Sequence, residues 1–141
     1  MTTGPVVVVG YVPNPRGEAA LEHALLESRR RGARLVVVNT SRGDALVDEE
    51  FVQGDARTAL DERLAAAGVP GEVRQSARGR DVAEELAAVI AQTSAELLVI
   101  GIRHRSAVGK LLMGSAAQRI LLDVDCPVLA VKSPPHPLPA G

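Results

Sequence analysis

Short aliphatic runs alternate along the chain with stretches whose apolar positions repeat at helical spacing. Four of the runs are nearly continuous in valine, leucine and isoleucine, a composition typical of parallel strands that are covered on both faces. The third run in chain order alternates more between polar and apolar residues. The five predicted strands span residues 5–10, 33–39, 71–77, 95–101 and 126–132.

Four amphipathic stretches between these runs predict helices over 18–32, 47–68, 81–93 and 115–123. Gly32 is expected to end the first helix, and Asp81 with Glu84 forms a capping-box pair at the start of the third. The apolar face predicted for the first helix consists of Leu21, Ala24, Leu25 and Ser28. The face predicted for the second consists of Val52, Ala56, Ala59, Leu60, Leu64 and Ala67.

Strict alternation of strand and helix predicts an α/β fold. We expect an open, mainly parallel sheet of five strands with right-handed crossovers and helices on both faces. No linker or internal repeat divides residues 1–132, which we expect to form a single domain. Residues 133–141 are rich in proline and are expected to form a flexible tail.

Charge and composition exclude several classes of function. Sixteen basic and seventeen acidic residues give a net charge of −1, whereas general binding to nucleic acid or membrane surfaces needs a basic excess. Cys126 is the only cysteine, so we expect a half-buried structural thiol and no internal disulfide. The N-terminus lacks a signal-peptide pattern and no run reaches the ~20 apolar residues of a membrane span. A cytoplasmic protein is expected.

The connection after the fourth predicted strand, residues 102–114, is thirteen residues long. Connections in α/β units usually take about 2–6 residues, and longer ones are often functional. Ligands of open α/β sheets bind beyond the carboxyl ends of strands, where the winding reverses. Glycines and a helix N-terminus suit an anion, and three basic side chains add charge. These features are Gly101, Gly114, Ser115, Arg103, Arg105 and Lys110.

The same residues have a structural interpretation. Ser115 and Gln118 have capping-box spacing, which explains the serine without a ligand, and the arginines could be solvated. Two familiar phosphate motifs are absent. A Walker A loop ending at Lys110 would need glycine at 104 and Ser or Thr at 111, where the chain has His104 and Leu111. The dinucleotide-binding glycine pattern does not follow the first strand either.

The spacing Gly101, two residues, His104, nine residues, Gly114–Ser115 resembles a motif of the universal stress protein family. ATP-binding members of that family carry Gly-x2-Gly-x9-Gly-(Ser/Thr) after the fourth strand. Segments 79–101 and 123–132 also resemble the family, so the resemblance covers nearly the whole chain. It implies strand order 3-2-1-4-5, dimerisation through the last strand (126–132), and an adenine nucleotide, ATP with Mg²⁺, as ligand.

The resemblance also implies the positions of that ligand. Its phosphates would lie on Gly101, Gly114, Ser115 and Ala116, with Arg103 and His104 lining the loop, and its base and ribose near Gly10, Tyr11, Val12 and Thr40. His104 stands where ATP-binding members have glycine. The segment Gly10–Val12 lacks the aspartate that members commonly carry there. Tyr11 has two interpretations, core packing and stacking on adenine.

Three functions are compatible with these features. The preferred one is a dimeric stress-response sensor that binds ATP. The alternatives are a homodimeric interaction protein without a nucleotide, and a slow ATP hydrolase. No Ser-His-Asp pattern or pair of carboxylates lies near the loop, so a non-enzyme is favoured. The acidic group Asp44, Asp48, Glu49 and Glu50 is expected to begin the second helix, where it suits the helix dipole.

Overall fold

The computed structural model describes residues 4–40, 49–75, 81–102 and 114–132, and within the second helix it describes side chains from residue 57 onward. The strands are β1 (Val6–Tyr11), β2 (Arg34–Asn39), β3 (Gly71–Gln75), β4 (Leu97–Ile102) and β5 (Val128–Lys132). The helices are α1 (Pro15–Arg31), α2 (Glu49–Ala67), α3 (Val82–Thr93) and α4 (Ser115–Asp123). The strands form one sheet in the order β3-β2-β1-β4-β5, and all neighbouring strands pair in parallel. The predicted fold class and strand order are confirmed.

The strands are apolar on both faces because each face of the sheet is covered by helices. Along β1, Val7, Val9 and Tyr11 belong to a core cluster with residues of α1 and α2. Val6 and Val8 belong to a second cluster with residues of α3 and α4. Successive side chains of a strand point to opposite faces, so neighbours in the sequence enter different cores.

The helix boundaries follow local capping more closely than apolar spacing. α1 begins at Pro15, three residues before the predicted start, because the Asn14 side chain accepts a hydrogen bond from the Gly17 N–H (3.0 Å) and proline suits the first helical position. Gly32 ends α1 as predicted, and Asp81 caps α3 as predicted. The predicted core position of Ala59 is wrong, since Ala59 is exposed while Leu60 and Leu64 are buried.

The single cysteine of the chain lies next to the last strand of the sheet. Cys126 lies just before β5 and is half-buried, as expected, and burial raises the pKa of its thiol.

The predicted tail, 133–141, and positions 44 and 48 of the acidic group lie outside the described residues. Of the helices in the described ranges, none is both long and apolar enough to cross a membrane.

A polar cluster joins β1, α1 and α2 at the edge of the first core. The Tyr11 hydroxyl donates to a Glu18 carboxylate oxygen (2.5 Å), and the Arg63 guanidinium donates to the other oxygen. Burial, followed by the Glu18 carboxylate, raises the pKa of Tyr11 to about 12. Burial alone would raise the pKa of Glu18, but the hydrogen bonds from Tyr11 and Arg63 outweigh it and hold that pKa below its usual value.

Two glycines allow the first turn of α1 to touch the ends of two strands. A Cβ on Gly17 would lie 1.7 Å from the Val12 carbonyl oxygen, and a Cβ on Gly101 would lie 2.2 Å from the Arg16 carbonyl oxygen. Both contacts are with backbone, which cannot move aside as a side chain can. The start of α1 is therefore packed directly between the ends of β1 and β4.

We expect Gly17→Ala to lower the free energy of unfolding by about 3 kcal/mol, the upper range for overpacking a well-packed site. Gly4→Ala is the matched control, because a Cβ there would meet nothing within 4 Å. Its effect should stay within about 0.5 kcal/mol. Urea denaturation of both variants measures the difference. Equal stability of Gly17→Ala and the parent would contradict the backbone contact.

Tyr11 is the only tyrosine and the chain has no tryptophan, so the ultraviolet absorbance of tyrosinate reports this residue alone. We expect a titration midpoint near pH 12 in the folded protein and about 10 in urea. Because the pKa of Tyr11 is raised in the folded state, its contribution to stability is present below pH ~10 and lost as pH rises through the folded pKa. Glu18→Gln should lower the folded midpoint, and a folded midpoint of 10 in the parent would disprove the buried hydrogen bond.

Candidate functional site

An open cleft lies at the carboxyl ends of β1 and β4, the two strands between which the winding of the sheet reverses. Its volume is about 230 Å³. This is the position at which open α/β sheets bind ligands. The described residues that line it are Gly10, Val12, Arg16, Gly17, Thr40, Val82, Leu86, Ile100, Gly101, Ile102, Gly114, Ala116, Ala117 and Ile120.

The cleft brings together six of the predicted site residues, although they come from four separate parts of the chain. They are Gly10, Val12, Thr40, Gly101, Gly114 and Ala116. Ser115 is exposed at the first position of α4 and is not among the lining residues. Arg103 and His104 lie outside the described residues, as does the part of the predicted loop from 103 to 113.

Tyr11 is not among the described residues that line the cleft, and its side chain lies on the opposite face of the sheet. Its side chain is 6% exposed and belongs to the core cluster on the α1 and α2 side. Gly10 precedes it and faces the other way, where a Cβ would approach Leu86 (3.4 Å) and Ile100 (3.6 Å). The alternation of side chains along β1 separates these two neighbours, and core packing is the interpretation of Tyr11 that holds.

The two motif glycines differ in what surrounds them. The missing Cβ of Gly101 leaves room for the Arg16 carbonyl, so this glycine serves the packing of α1. A Cβ on Gly114 would meet nothing within 4 Å, and its φ of −64° is open to any residue. Gly114 therefore leaves open space at the start of α4.

The predicted capping box at Ser115 is wrong. Gly114 is the N-cap of α4, and its carbonyl accepts the backbone N–H of Gln118 (3.1 Å). Ser115 is the first helical residue, one position too far along for its hydroxyl to cap. Among the described residues, no side chain caps the first turn of α4, whereas Asn14 and Asp81 cap those of α1 and α3.

Several lining residues were not among the predicted ones. Arg16 and Gly17 enter the cleft because α1 begins at Pro15, and the Asn14-Pro15 pair is the sequence signal that could have placed that start. Five of the others lay in predicted helices or in the fourth strand and one, Ile102, in the predicted connection, and none of the six was predicted to line a site. They are Val82, Leu86, Ile100, Ile102, Ala117 and Ile120.

The lining combines an apolar wall with a few polar groups. Leu86, Ile100 and Ile120 supply apolar surface from three elements. The Thr40 hydroxyl donates to the Tyr11 carbonyl oxygen (3.1 Å), which fixes its position and leaves its oxygen able to accept a hydrogen bond. Among the described lining residues, Arg16 is the one basic residue and none is acidic. Within the described ranges, no three His, Cys, Asp or Glu residues are grouped for a metal ion.

These features are compatible with a ligand that has an apolar, flat part and an anionic part. The apolar wall would contact the apolar part of the ligand. The start of α4 and Arg16 would contact the anionic part, because helix N–H groups and a guanidinium both favour negative charge.

Comparison with known proteins agrees with this architecture. The model of the universal stress protein family matches residues 5–132. A universal stress protein of Mycolicibacterium smegmatis is 50% identical over 131 residues, which is 93% of this chain and 98% of that protein.

Solved structures agree as well. The structure of a universal stress protein from Archaeoglobus fulgidus has a TM-score of 0.75 at 28% identity and covers 93% of this chain and 100% of that one. A universal stress protein from the same organism in complex with dAMP has a TM-score of 0.69 at 25% identity, covering 94% and 100% of the two chains. On the sequence match and the shared fold, this chain belongs to the universal stress protein family.

Proposed function

We propose that the cleft between β1 and β4 binds an adenine nucleotide, with ATP as the first candidate, and that the protein acts as a dimeric sensor of that nucleotide in the stress response. The observation that carries the proposal is the convergence of Gly10, Thr40, Gly101 and Gly114 on one cleft at the reversal of the sheet. The complex of a related protein with dAMP supports an adenine nucleotide as the ligand class.

The two ends of such a ligand match different parts of the lining. The base packs on the apolar wall beside Gly10, and the Thr40 hydroxyl oxygen accepts a hydrogen bond from the sugar. The phosphates lie at the start of α4, where no side chain of the described residues caps the backbone N–H groups of the first turn. Mg²⁺ would accompany ATP through its phosphates, since the described lining contains no carboxylate.

Binding without rapid turnover is the expected behaviour. Hydrolysis of ATP needs a base or a positioned group that activates water, and the described lining offers no carboxylate or histidine for this step. Nucleotide occupancy would instead change the surface at the mouth of the cleft, which partner proteins would read.

The proposed dimer uses β5, which lies at the edge of the sheet. The Leu98 N–H donates to the Pro127 carbonyl (3.0 Å), so the backbone groups of Pro127 and Leu129 face β4. Those of Val128 and Ala130 then face away from the sheet, where another strand can pair with them. An apolar strand with an open edge favours association with a second copy.

To test the ligand, we would denature the purified protein and identify the released small molecules by mass spectrometry, then titrate the protein with ATP and Mg²⁺ by calorimetry. An adenine nucleotide in the released material, or micromolar binding of ATP, is expected. Formation of ADP should remain at background. An empty protein that gives no heat with ATP would favour the interaction protein without a nucleotide, and rapid ADP formation would favour the hydrolase.

Gly10→Val should block the base. The valine side chain would project into the cleft between Leu86 and Ile100, and its nearest neighbours are the ends of side chains. Valine suits a strand, so the melting temperature should not fall. We expect at least tenfold weaker ATP binding by calorimetry, whereas the control Gly4→Val binds as the parent does. Unchanged binding by a folded Gly10→Val would contradict this position for the base.

Ala130→Pro should dissociate the dimer. Proline removes the outward N–H of position 130 and leaves the groups that pair with β4 intact. Sedimentation should report a dimer for the parent and for the control Ala130→Ser, and a monomer for Ala130→Pro with an unchanged circular-dichroism spectrum. A parent that sediments as a monomer, or a proline variant that remains dimeric, would exclude pairing through β5.

A further inference from the structure

Arg16 differs from the other half-buried arginines of the described chain. Four such arginines are present, namely Arg16, Arg34, Arg63 and Arg74. Arg34 and Arg74 both pair with Glu72, and Arg63 pairs with Glu18. Arg16 has no carboxylate partner among the described residues, and it lines the cleft.

The surroundings of Arg16 leave its charge uncompensated. It occupies the second position of α1, where the positive end of the helix dipole disfavours a cation. The described residues that line the cleft include no aspartate or glutamate. The nearby carboxylate of Glu18, also in α1, already accepts hydrogen bonds from Tyr11 and Arg63. A half-buried arginine without a carboxylate partner among the described residues favours a negatively charged ligand.

The position of Arg16 indicates which part of the ligand it meets. Its carbonyl lies 2.2 Å from where a Cβ on Gly101 would be, so the residue adjoins the first glycine of the loop motif. Gly114 and Ala116, at the start of α4, line the same cleft. Arg16 therefore adjoins Gly101 and shares the cleft with the start of α4, whose backbone N–H groups suit an anion.

We propose that Arg16 is a specificity-determining residue of the cleft, which binds a phosphate group of the ligand and selects nucleotides over nucleosides. The proposal rests on the proposed function in taking the ligand to be a nucleotide. It adds a contact from α1, outside the loop motif, and predicts that affinity depends on the phosphate groups.

The test compares ATP, adenosine and inorganic tripolyphosphate as ligands of the parent and of Arg16→Gln, by calorimetric titration. Losing a charged hydrogen bond should weaken binding of ATP and of tripolyphosphate by about tenfold or more, while binding of adenosine stays the same. Arg29→Gln is the matched control, because Arg29 is an exposed arginine at the other end of α1. It should bind all three ligands as the parent does. Arg16→Lys should recover part of the lost affinity, since it restores the charge without the planar fork.

The melting temperature of Arg16→Gln without ligand should equal or slightly exceed that of the parent, because a cation is removed from a helix N-terminus. Equal ATP affinity of the parent and Arg16→Gln would overturn the role of Arg16 and leave the proposed function standing. Failure of the parent to bind ATP, with Arg16-dependent binding of tripolyphosphate, would refute the nucleotide and keep the phosphate contact. Absence of binding by all three ligands would overturn both.

Discussion

The first turn of α1 packs against backbone rather than side chains, and the geometry of the cleft depends on that contact. Gly17 and Gly101 have no Cβ at the two points where α1 meets Val12 and where β4 meets Arg16. A side chain at either point would push the helix away from the sheet. Because of this approach, residues from the start of α1 border the same cleft as residues from the ends of β1 and β4.

Because side chains alternate between the two faces of the sheet, neighbouring residues of β1 contribute to the core on one face and to the cleft on the other. Tyr11 completes the core under α1 and α2, and its hydroxyl is satisfied by Glu18. Gly10 faces the cleft, and a Cβ there would contact Leu86 and Ile100. A shift of one residue in the register of β1 would exchange these positions, so the pairing of β1 with β2 and β4 fixes the shape of the site.

Charge is distributed unevenly around this edge of the sheet. On the α1 and α2 side, Glu18 accepts from two donors and its negative charge is matched by Arg63. The described lining of the cleft contains one basic residue, Arg16, and no carboxylate, and it includes the start of α4, whose N-cap is a glycine. The described part of the cleft is therefore electropositive, which is the physical basis for an anionic ligand in both proposals.

The sequence by itself determined the strands and most buried helix positions, because apolar runs and apolar spacing are read within one segment. It predicted the strand order only through the family resemblance, and the long connection after the fourth strand indicated the end of the sheet at which the cleft lies. Tertiary structure decided what depends on contacts between distant segments. It placed the Tyr11 side chain in the core on the α1 and α2 side of the sheet. It also packed the Arg16 carbonyl against Gly101, where a side chain would clash. It also made Gly114 the cap of α4 in place of Ser115 and brought Arg16 into the cleft, because residues far apart in the chain meet only when the sheet is assembled.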